Sequence, residues 1–295
     1  MLELSIVIIN YNTCKMTCEC IDSVFKHVSG IDFEVILVDN ASTDESKNVF
    51  SKDDRIKYIY SEKNLGFGRA NNLGVDYSEG RNILFLNSDT LLMNNAAKIL
   101  SEYLDSHPEC GICGGNLFDV DGKPTYSFYR NYPSLFRDFY TPLSKKYGKL
   151  KYGINQFHNH TGKPMEVSQI SGADLMINKR VINKYGCFNP VFFMYYEDAE
   201  LCFRVAKQGY KIMSIPEACI KHLCGKSDKV GIANVWRVES RDNYFRLTGK
   251  SAIYRRLDAF YRKIVCRFLL FKYRKDKHIS DIYKKCLDFY GHLEF

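Results

Sequence analysis

Asn82-Ile83-Leu84-Phe85-Leu86-Asn87-Ser88-Asp89 is an apolar run that stops at polar residues and a carboxylate. Its length suits one buried strand, and its end places Asp89 at a sheet edge. An Asp at the end of a buried strand is costly unless it is paired or bound to a cation. One that faces a cleft can hold Mg²⁺ or Mn²⁺, which take carboxylate and phosphate oxygens together. Capping of the next turn is an equal alternative for Asp89 taken alone.

Outward from this strand, the first part of the chain alternates. Leu4–Ile9, Glu34–Asp39, Ile56–Tyr60 and a segment around Gly111–Cys113 read as further strands. Thr13–Val28, Arg69–Tyr77 and Asn94–Asp105 read as helices, and Ser42-Thr43-Asp44-Glu45 supplies caps for a short one. Such alternation predicts an α/β class with a mostly parallel central sheet covered by helices on both faces. Ligands of such sheets sit beyond the carboxyl ends of the strands, at a switch point. Asp39-Asn40-Ala41-Ser42 and Asn87-Ser88-Asp89 both fall at that edge.

Farther along, Asn116–Asp119 with the turn Asp121-Gly122 predicts a hairpin. Lys123–Pro164 lacks periodicity and reads as a long loop. Val167–Ile170, Ala173–Asn178, Lys211–Ile215 and Cys219–His222 read as strands, and Asp198–Gln208 as a helix. From Ile232 the pattern is helical to the end.

Composition sets the class. The chain has 295 residues, 45% hydrophobic and 26% charged, which excludes disorder and allows one large α/β domain with an appendage or two small domains. The net charge of +8 is one-ended: from Arg241 onward there are 14 Lys+Arg against 6 Asp+Glu, leaving 28 of each before it. That surplus points to an anionic partner for the tail, a membrane surface or a nucleic acid. The 11 cysteines are odd in number and no secretory leader precedes the first strand, so reduced thiols in a cytoplasmic protein are expected. Cys110-Gly111-Ile112-Cys113 has redox or zinc spacing without a second pair, so buried strand cysteines are expected there. Cys14, Cys18 and Cys20 suit one helix. The most apolar tail segment, Ile264–Phe271, is broken by Arg267, so no membrane span is expected.

Four other stretches carry chemistry. Asp39, at a strand end, can accept from the imide N–H of uracil or thymine, or else the region caps a helix through Ser42 or Thr43. Asn64-Leu65-Gly66-Phe67-Gly68-Arg69-Ala70-Asn71-Asn72 opens a helix, whose N-terminus favours phosphate. It is neither a dinucleotide fingerprint, because Asn71 stands where a third Gly or Ala is needed, nor a Walker loop. Arg69 pairs there with a diphosphate or with the protein body. Tyr195-Tyr196-Glu197-Asp198-Ala199-Glu200 starts a helix with three carboxylates, which serve as dipole partners or supply a general base. Glu197 and Asp198 are adjacent and point apart on a helix, and Asp198 is the expected base. His222-Leu223-Cys224-Gly225-Lys226-Ser227 suits a phosphate-facing loop, with a structural His as the alternative.

Taken in order, these stretches resemble the family 2 inverting glycosyltransferases, in particular the rhamnosyltransferase-like branch. The matching text is Ile8-Ile9-Asn10-Tyr11-Asn12, Val38-Asp39-Asn40-Ala41-Ser42-Thr43-Asp44, Asn64-Leu65-Gly66-Phe67 with Asn71-Asn72, and Leu86-Asn87-Ser88-Asp89-Thr90. It continues with Ser171-Gly172-Ala173, Glu197-Asp198 with Leu201-Cys202-Phe203-Arg204, and His222 with Gly225 and Ser227, so it runs from Leu4 to about Arg246.

The resemblance implies a GT-A fold, Rossmann-like, with a nucleotide-sugar half at about 1–115, an acceptor half at about 116–240 and a basic helical extension over 241–295. It implies donor contacts at Asn10, Asn12, Asp39, Asn40, Asn64, Gly66, Arg69, Asn72, Asn87, Ser88 and Asp89, with Asp39 on the base. Gly172, Ala173 and Glu197 fall on the acceptor side, Asp198 is the catalytic base, and Asp89 holds a divalent cation, Mn²⁺ or Mg²⁺, with His222 helping to hold that metal or the diphosphate. Asn87 replaces the first acid of the family's DXD-type motif, so one carboxylate carries that role. Ala199-Glu200 stands where an x-Asp pair is common, and Gly68 where a small residue is usual. The implied reaction is inverting transfer of a sugar from dTDP-rhamnose or a UDP-hexose to a hydroxyl of a glycan or lipid-linked glycan, in polysaccharide or cell-surface glycan synthesis.

Within Ser251–Lys277, Tyr254, Leu257, Phe260, Tyr261, Ile264, Val265, Phe268, Leu269 and Phe271 recur at helical spacing among Arg and Lys residues. That pattern suits a helix on an anionic membrane, placing the protein peripherally on the inner face of the cell membrane. A helix packed on the domain with its basic face in water is the alternative.

Two rival functions remain. A sugar nucleotidyltransferase shares the sheet and the metal-binding Asp, but carries a glycine- and basic-rich loop where this chain has Asn10-Tyr11-Asn12-Thr13. A non-catalytic membrane or nucleic-acid module leaves Asp39, Asp89 and Asp198 unexplained, and no nucleic acid is expected as a partner of the enzyme.

Overall fold

A computed structural model of the chain describes residues 2–135, 148–223 and 235–293. The strands are β1 Leu4–Asn10, β2 Phe33–Asn40, β3 Lys57–Ser61, β4 Asn82–Asn87, β5 Thr90–Leu92, β6 Cys110–Phe118, β7 Phe128–Tyr129, β8 Met165–Glu166, β9 Gln169–Ile170, β10 Asp174–Asn178 and β11 Lys211–His222. The helices used below are α1 Cys14–His27, α2 Ser46–Phe50, α3 Phe67–Asp76, α4 Ala96–Ser106, α5 Lys179–Tyr185, α6 Glu197–Lys207, α7 Val235–Leu247, α8 Ala252–Lys272 and α9 Lys277–His292.

A 9-stranded sheet runs in the order β3-β2-β1-β4-β10-β6-β11-β5, with β8 also on β11. The pairings β3·β2, β2·β1 and β1·β4 are parallel, as the alternating sequence predicts. Beyond β4 the sheet is mixed: β10 is antiparallel to β4 and β6, and β11 is parallel to β6 and antiparallel to β5. From β1 the chain winds out through β2 and β3, then returns to place β4 on the other side of β1. This is the switch point at which α/β sheets bind ligands.

The period of 2 divides the core. Leu4, Ile6 and Ile8 of β1 join Leu37, Leu84 and Leu86 beneath α1 and α4, where Cys20, Ile21, Val24 and Leu100 meet them. Val7 joins Ile36, Ile83 and Phe85 on the other face, under Leu201 and Val205 of α6. Both faces are covered, so these strands are apolar on both sides.

Cys110 and Cys113 are buried in β6, and Cys14, Cys18 and Cys20 share α1. The turn at Asp121-Gly122 forms, with Asp119 Oδ1 accepting from the Asp121 and Lys123 amides, but the ladder beside it is a single bridge, Phe118 to Pro124. The two strands expected at Lys211–Ile215 and Cys219–His222 form one strand, whose pairing with β6 slips between Ser214 and Cys219. Pro216 lies in that gap and has no N–H for the ladder. Among the described residues, no helix is long and apolar enough to cross a membrane.

The C-terminal helices are tied to the body. Tyr244 and Phe245 of α7 bury against Phe192 and Ala199. Helices α7, α8 and α9 share a second small core around Val238, Ala259, Cys266, Tyr283, Cys286 and Tyr290.

Candidate active site

The carboxyl ends of β1 and β2 are sewn together. Asn10 is fully buried; its Nδ2 donates to Ser42 Oγ at 2.9 Å and its Oδ1 accepts from Thr13 Oγ1 at 2.9 Å and Thr17 Oγ1 at 2.8 Å. Asn12 donates its N–H to Ser42 Oγ at 3.0 Å, and its Oδ1 accepts from the Thr43 amide at 2.7 Å. Asp39 is also fully buried; Oδ1 accepts from the Ser42 amide at 3.0 Å and Oδ2 from Tyr58 Oη at 2.9 Å. Burial, with the Asp39 charge beside it, pushes the Tyr58 phenol well above its ordinary value, so it stays a donor.

The loop before α3 is held in the same way. Asn64 Oδ1 accepts from Asn40 Nδ2 at 3.0 Å and the Gly66 amide at 2.9 Å, while Asn40 Oδ1 accepts from the Leu65 amide at 2.8 Å. Gly66 has φ +80°, and a Cβ there would run into Phe193 O, so only glycine fits. Asn72 makes two bonds with the Phe188 backbone, at 2.8 and 3.0 Å. The side chains of Asn10, Asn12, Asn40, Asn64 and Asn72 therefore shape this edge of the sheet by bonding within the protein. Arg69 is exposed, with its guanidinium 5.9 Å from the Phe193 ring centroid.

The end of β4 brings in the other candidates. Ser88 Oγ lies 3.2 Å from Thr13 Oγ1, which ties Asp89's neighbour to the first strand edge. Asp89 Oδ1 lies 3.2 Å from His222 Nε2. The two meet because Thr90 pairs with His222 in the β5·β11 ladder and the Leu223 amide donates to Asp89 O at 2.7 Å. Two ligands at ~2.1 Å on adjacent positions of an octahedral ion stand ~3 Å apart, so this pair fits a divalent cation that takes its other ligands from phosphate and water. Among the described residues no group of three or more His, Cys, Asp or Glu forms a self-sufficient metal cage. Gly225, Lys226 and Ser227, which extend the His222 motif, lie outside the described residues.

Opposite, the short segment before β10 couples β4 to α6. Ala173 O accepts from the Asn87 amide at 3.0 Å, and the adjacent Gly172 amide donates to Asp198 Oδ2 at 3.1 Å. Asp198 is partly exposed and Glu197 is buried, so the two carboxyls point apart as the helix geometry requires. Burial, with the Asp198 charge next to it, pushes Glu197 up to about 8. Its Oε2 has no hydrogen-bond partner among the described residues. Glu200 serves structure: it is ion-paired with Arg204, at 2.8 Å from Nε.

Backbone strain concentrates at this edge. The positive-φ residues other than glycine among those described are Asn12 (55°), Ala41 (66°), Tyr195 (72°) and Tyr196 (68°). Each is at a strand or helix end that lines the site, and such conformations cost about 1–3 kcal/mol apiece for ordinary side chains. Two consecutive left-handed tyrosines turn the chain sharply into α6 and so aim Asp198.

Other residues at the site gave no signal in the sequence. Tyr58 lies in a strand whose alternation reveals nothing of its bond to Asp39. Asp174 is fully buried at the start of β10 and accepts from the Gly115 amide at 2.6 Å through Oδ2. Burial pushes it up to about 7, against the pull of that bond and of the His222 charge.

Residues 5–168 match the family model "Glycosyl transferase family 2". The chain is 31% identical over 215 residues to the low-salt glycan biosynthesis hexosyltransferase Agl10 of Haloferax volcanii, covering 71% of this chain and 64% of that protein. It is 27% identical over 207 residues to the dTDP-rhamnosyl transferase RfbF of Shigella flexneri, covering 68% of this chain and 64% of that one. The match thus spans less than two thirds of each relative's length. Among solved structures, GalNAc-T7 with UDP, GalNAc and Mn²⁺ superposes with a TM-score of 0.62 at 16% identity, over 84% of this chain and 48% of that one. That likeness shows the fold, a GT-A-like mixed sheet flanked by helices. With the family match covering more than half of its residues, the chain belongs to glycosyl transferase family 2.

Proposed function

We propose that this chain is an inverting, metal-dependent glycosyltransferase. It moves a hexosyl group from dTDP-rhamnose or a UDP-hexose to a hydroxyl of a glycan or lipid-linked glycan, in polysaccharide or cell-surface glycan synthesis. The carrying observation is the joint placement of Asp89 beside His222 and of Asp198 on Gly172, linked through Ala173 and Asn87. The activities for which the two relatives are named, a hexosyltransferase and a dTDP-rhamnosyl transferase, support the donor class.

In this reading residues 1–115 form the donor half and 116–240 the acceptor half. The buried Asp39–Tyr58 pair supports the strand edge where the base would sit, and the start of α3 with Arg69 faces the phosphates. Asp89 and His222 hold the cation, Mn²⁺ or Mg²⁺. When bound, a divalent cation supplies Lewis-acid neutralisation of the departing diphosphate. Asp198 accepts the proton from the acceptor hydroxyl as that oxygen attacks the anomeric carbon from the face opposite the diphosphate. The Gly172 amide fixes the orientation of Asp198, and Glu197, held neutral by burial, offers a donor on the acceptor side without adding a second charge. Residues 241–295 hold the protein at the inner, cytoplasmic face of an anionic membrane.

The test is product analysis. The purified chain, Mn²⁺, a nucleotide sugar and an acceptor extract should release nucleoside diphosphate. Release of pyrophosphate, as a nucleotidyltransferase gives, would sink the proposal. So would a failure of every nucleotide sugar to raise the melting temperature in the presence of Mn²⁺.

A further inference from the structure

Helix α8 has two apolar faces, and one of them faces water. On the inner side Ala259 and Cys266 are buried, with Leu269 and Leu270 packed on the same small core. On the other side Ile253 is 70% exposed, Leu257 56%, Phe260 64%, Ile264 49%, Phe268 65% and Phe271 67%. At about 100° per residue these six fall within roughly 80° of arc, centred away from Ala259 and Cys266. A helix apolar on both sides is normally buried on both sides.

The list of apolar residues in the sequence mixes the two faces, and only the packing separates them. Aromatic side chains present ~150–250 Å² each, so the stripe exposes on the order of 600 Å² or more, at or above the largest patch usual on a soluble monomer.

Charge identifies the occupant. Arg256, Lys263 and Arg267 form a row along one flank of the stripe, within roughly 40° of one another. Asp258 is the one acid between Ala252 and Lys272, and it is buried against Arg241 on the inner side. The Arg274 guanidinium covers the Phe271 ring at 4.5 Å, at the end of the same stripe. A second copy of the chain docked on this face brings cations against cations. An anionic lipid surface supplies both the apolar depth and the counter-charge.

We infer that α8 lies in the plane of an anionic membrane. The stripe Ile253, Leu257, Phe260, Ile264, Phe268 and Phe271 enters the acyl boundary, and Arg256, Lys263 and Arg267 rest on the headgroups. This deepens the membrane placement proposed above by naming the inserted face, and it is read by binding alone.

The experiment is flotation of the full chain with phosphatidylglycerol–phosphatidylcholine vesicles and with phosphatidylcholine vesicles. Wild type should float with the anionic vesicles and less so in high salt. Phe260→Asp with Phe268→Asp, and separately Lys263→Glu with Arg267→Glu, should lower the vesicle partition coefficient by about tenfold or more. Both double variants should keep the wild-type melting temperature and the stabilisation by nucleotide sugar, because Phe260, Arg267 and Phe268 are exposed and Lys263 is only half-buried. Equal flotation of wild type and the Phe variant overturns the inference. So does a wild-type dimer in light scattering that the Phe variant dissociates while neither form binds vesicles. Loss of nucleotide-sugar stabilisation in every form, with flotation intact, counts against the proposed activity and leaves the membrane face standing.

Discussion

The Asp258 carboxylate receives two bonds from the Arg241 guanidinium, 2.7 Å from Nε and 2.6 Å from Nη2, and both residues are almost fully out of water. The same guanidinium donates from Nη1 to Tyr196 Oη at 3.1 Å. One cation therefore joins α7, α8 and the left-handed tyrosine that precedes α6. Removing one partner of such a pair strands a buried charge, at a cost of about 3–5 kcal/mol. Asp258→Ala should lower the midpoint of urea unfolding accordingly. A loss below about 1 kcal/mol would mean that the pair is solvated in solution.

Asp198→Asn keeps an acceptor for the Gly172 amide while removing the proposed base. Turnover should fall between about a hundredfold and ten-thousandfold. Stabilisation by nucleotide sugar and Mn²⁺ should be retained. Wild-type kcat in this variant would reassign the base.

Asp89→Asn and His222→Ala should each raise the Mn²⁺ concentration needed for nucleotide-sugar stabilisation by about tenfold or more, a loss that even supporting groups around a metal can produce. Thermal melts across a Mn²⁺ series read this without turnover. An unchanged midpoint for both variants would remove the cation from this edge.

Glu197 and Asp174 make stability fall with rising pH. Each carboxyl is pushed up in the folded state by burial, to about 8 and about 7, from ordinary values of 4.5 and 3.8. Between the ordinary and the raised value the folded state binds the extra proton. Their contribution is thus complete below about pH 4 and is lost as pH rises toward 8. Glu197→Gln and Asp174→Asn should each flatten the decline in melting temperature between pH 5 and pH 8, by a few degrees. Parallel curves for wild type and variants would show both acids ionised in the fold.

The parallel half of the sheet was legible because its strands are buried on both faces and read as continuous apolar runs, as in Ile83–Leu86. The polar strand ends at Asp39 and Asp89 were legible for the same reason, as abrupt stops. What lay hidden depends on distant partners. Thr90–Leu92 is too short to show a period, yet its pairing with β11 is what carries His222 to Asp89. The Asn40–Asn64 and Asn72–Phe188 bonds turn motif residues into scaffolding, which spacing alone does not reveal. Arg241 and Asp258 read as ordinary tail charges until α7 and α8 pack together.

Strand order has a consequence for how the protein is made. β10 lies between β4 and β6, and β11 lies between β6 and β5. A nascent chain that has emerged only as far as Phe118 holds β3-β2-β1-β4 as one ribbon, with β5 and β6 lacking the neighbours they have in the finished sheet. Both missing strands arrive from the second half of the sequence. Asp89 therefore waits more than a hundred residues of synthesis for His222, and the edge that carries both closes only once β11 has emerged. Such long-range closure is slow to form. A chain truncated before β11 should present an aggregation-prone sheet edge rather than a small working domain.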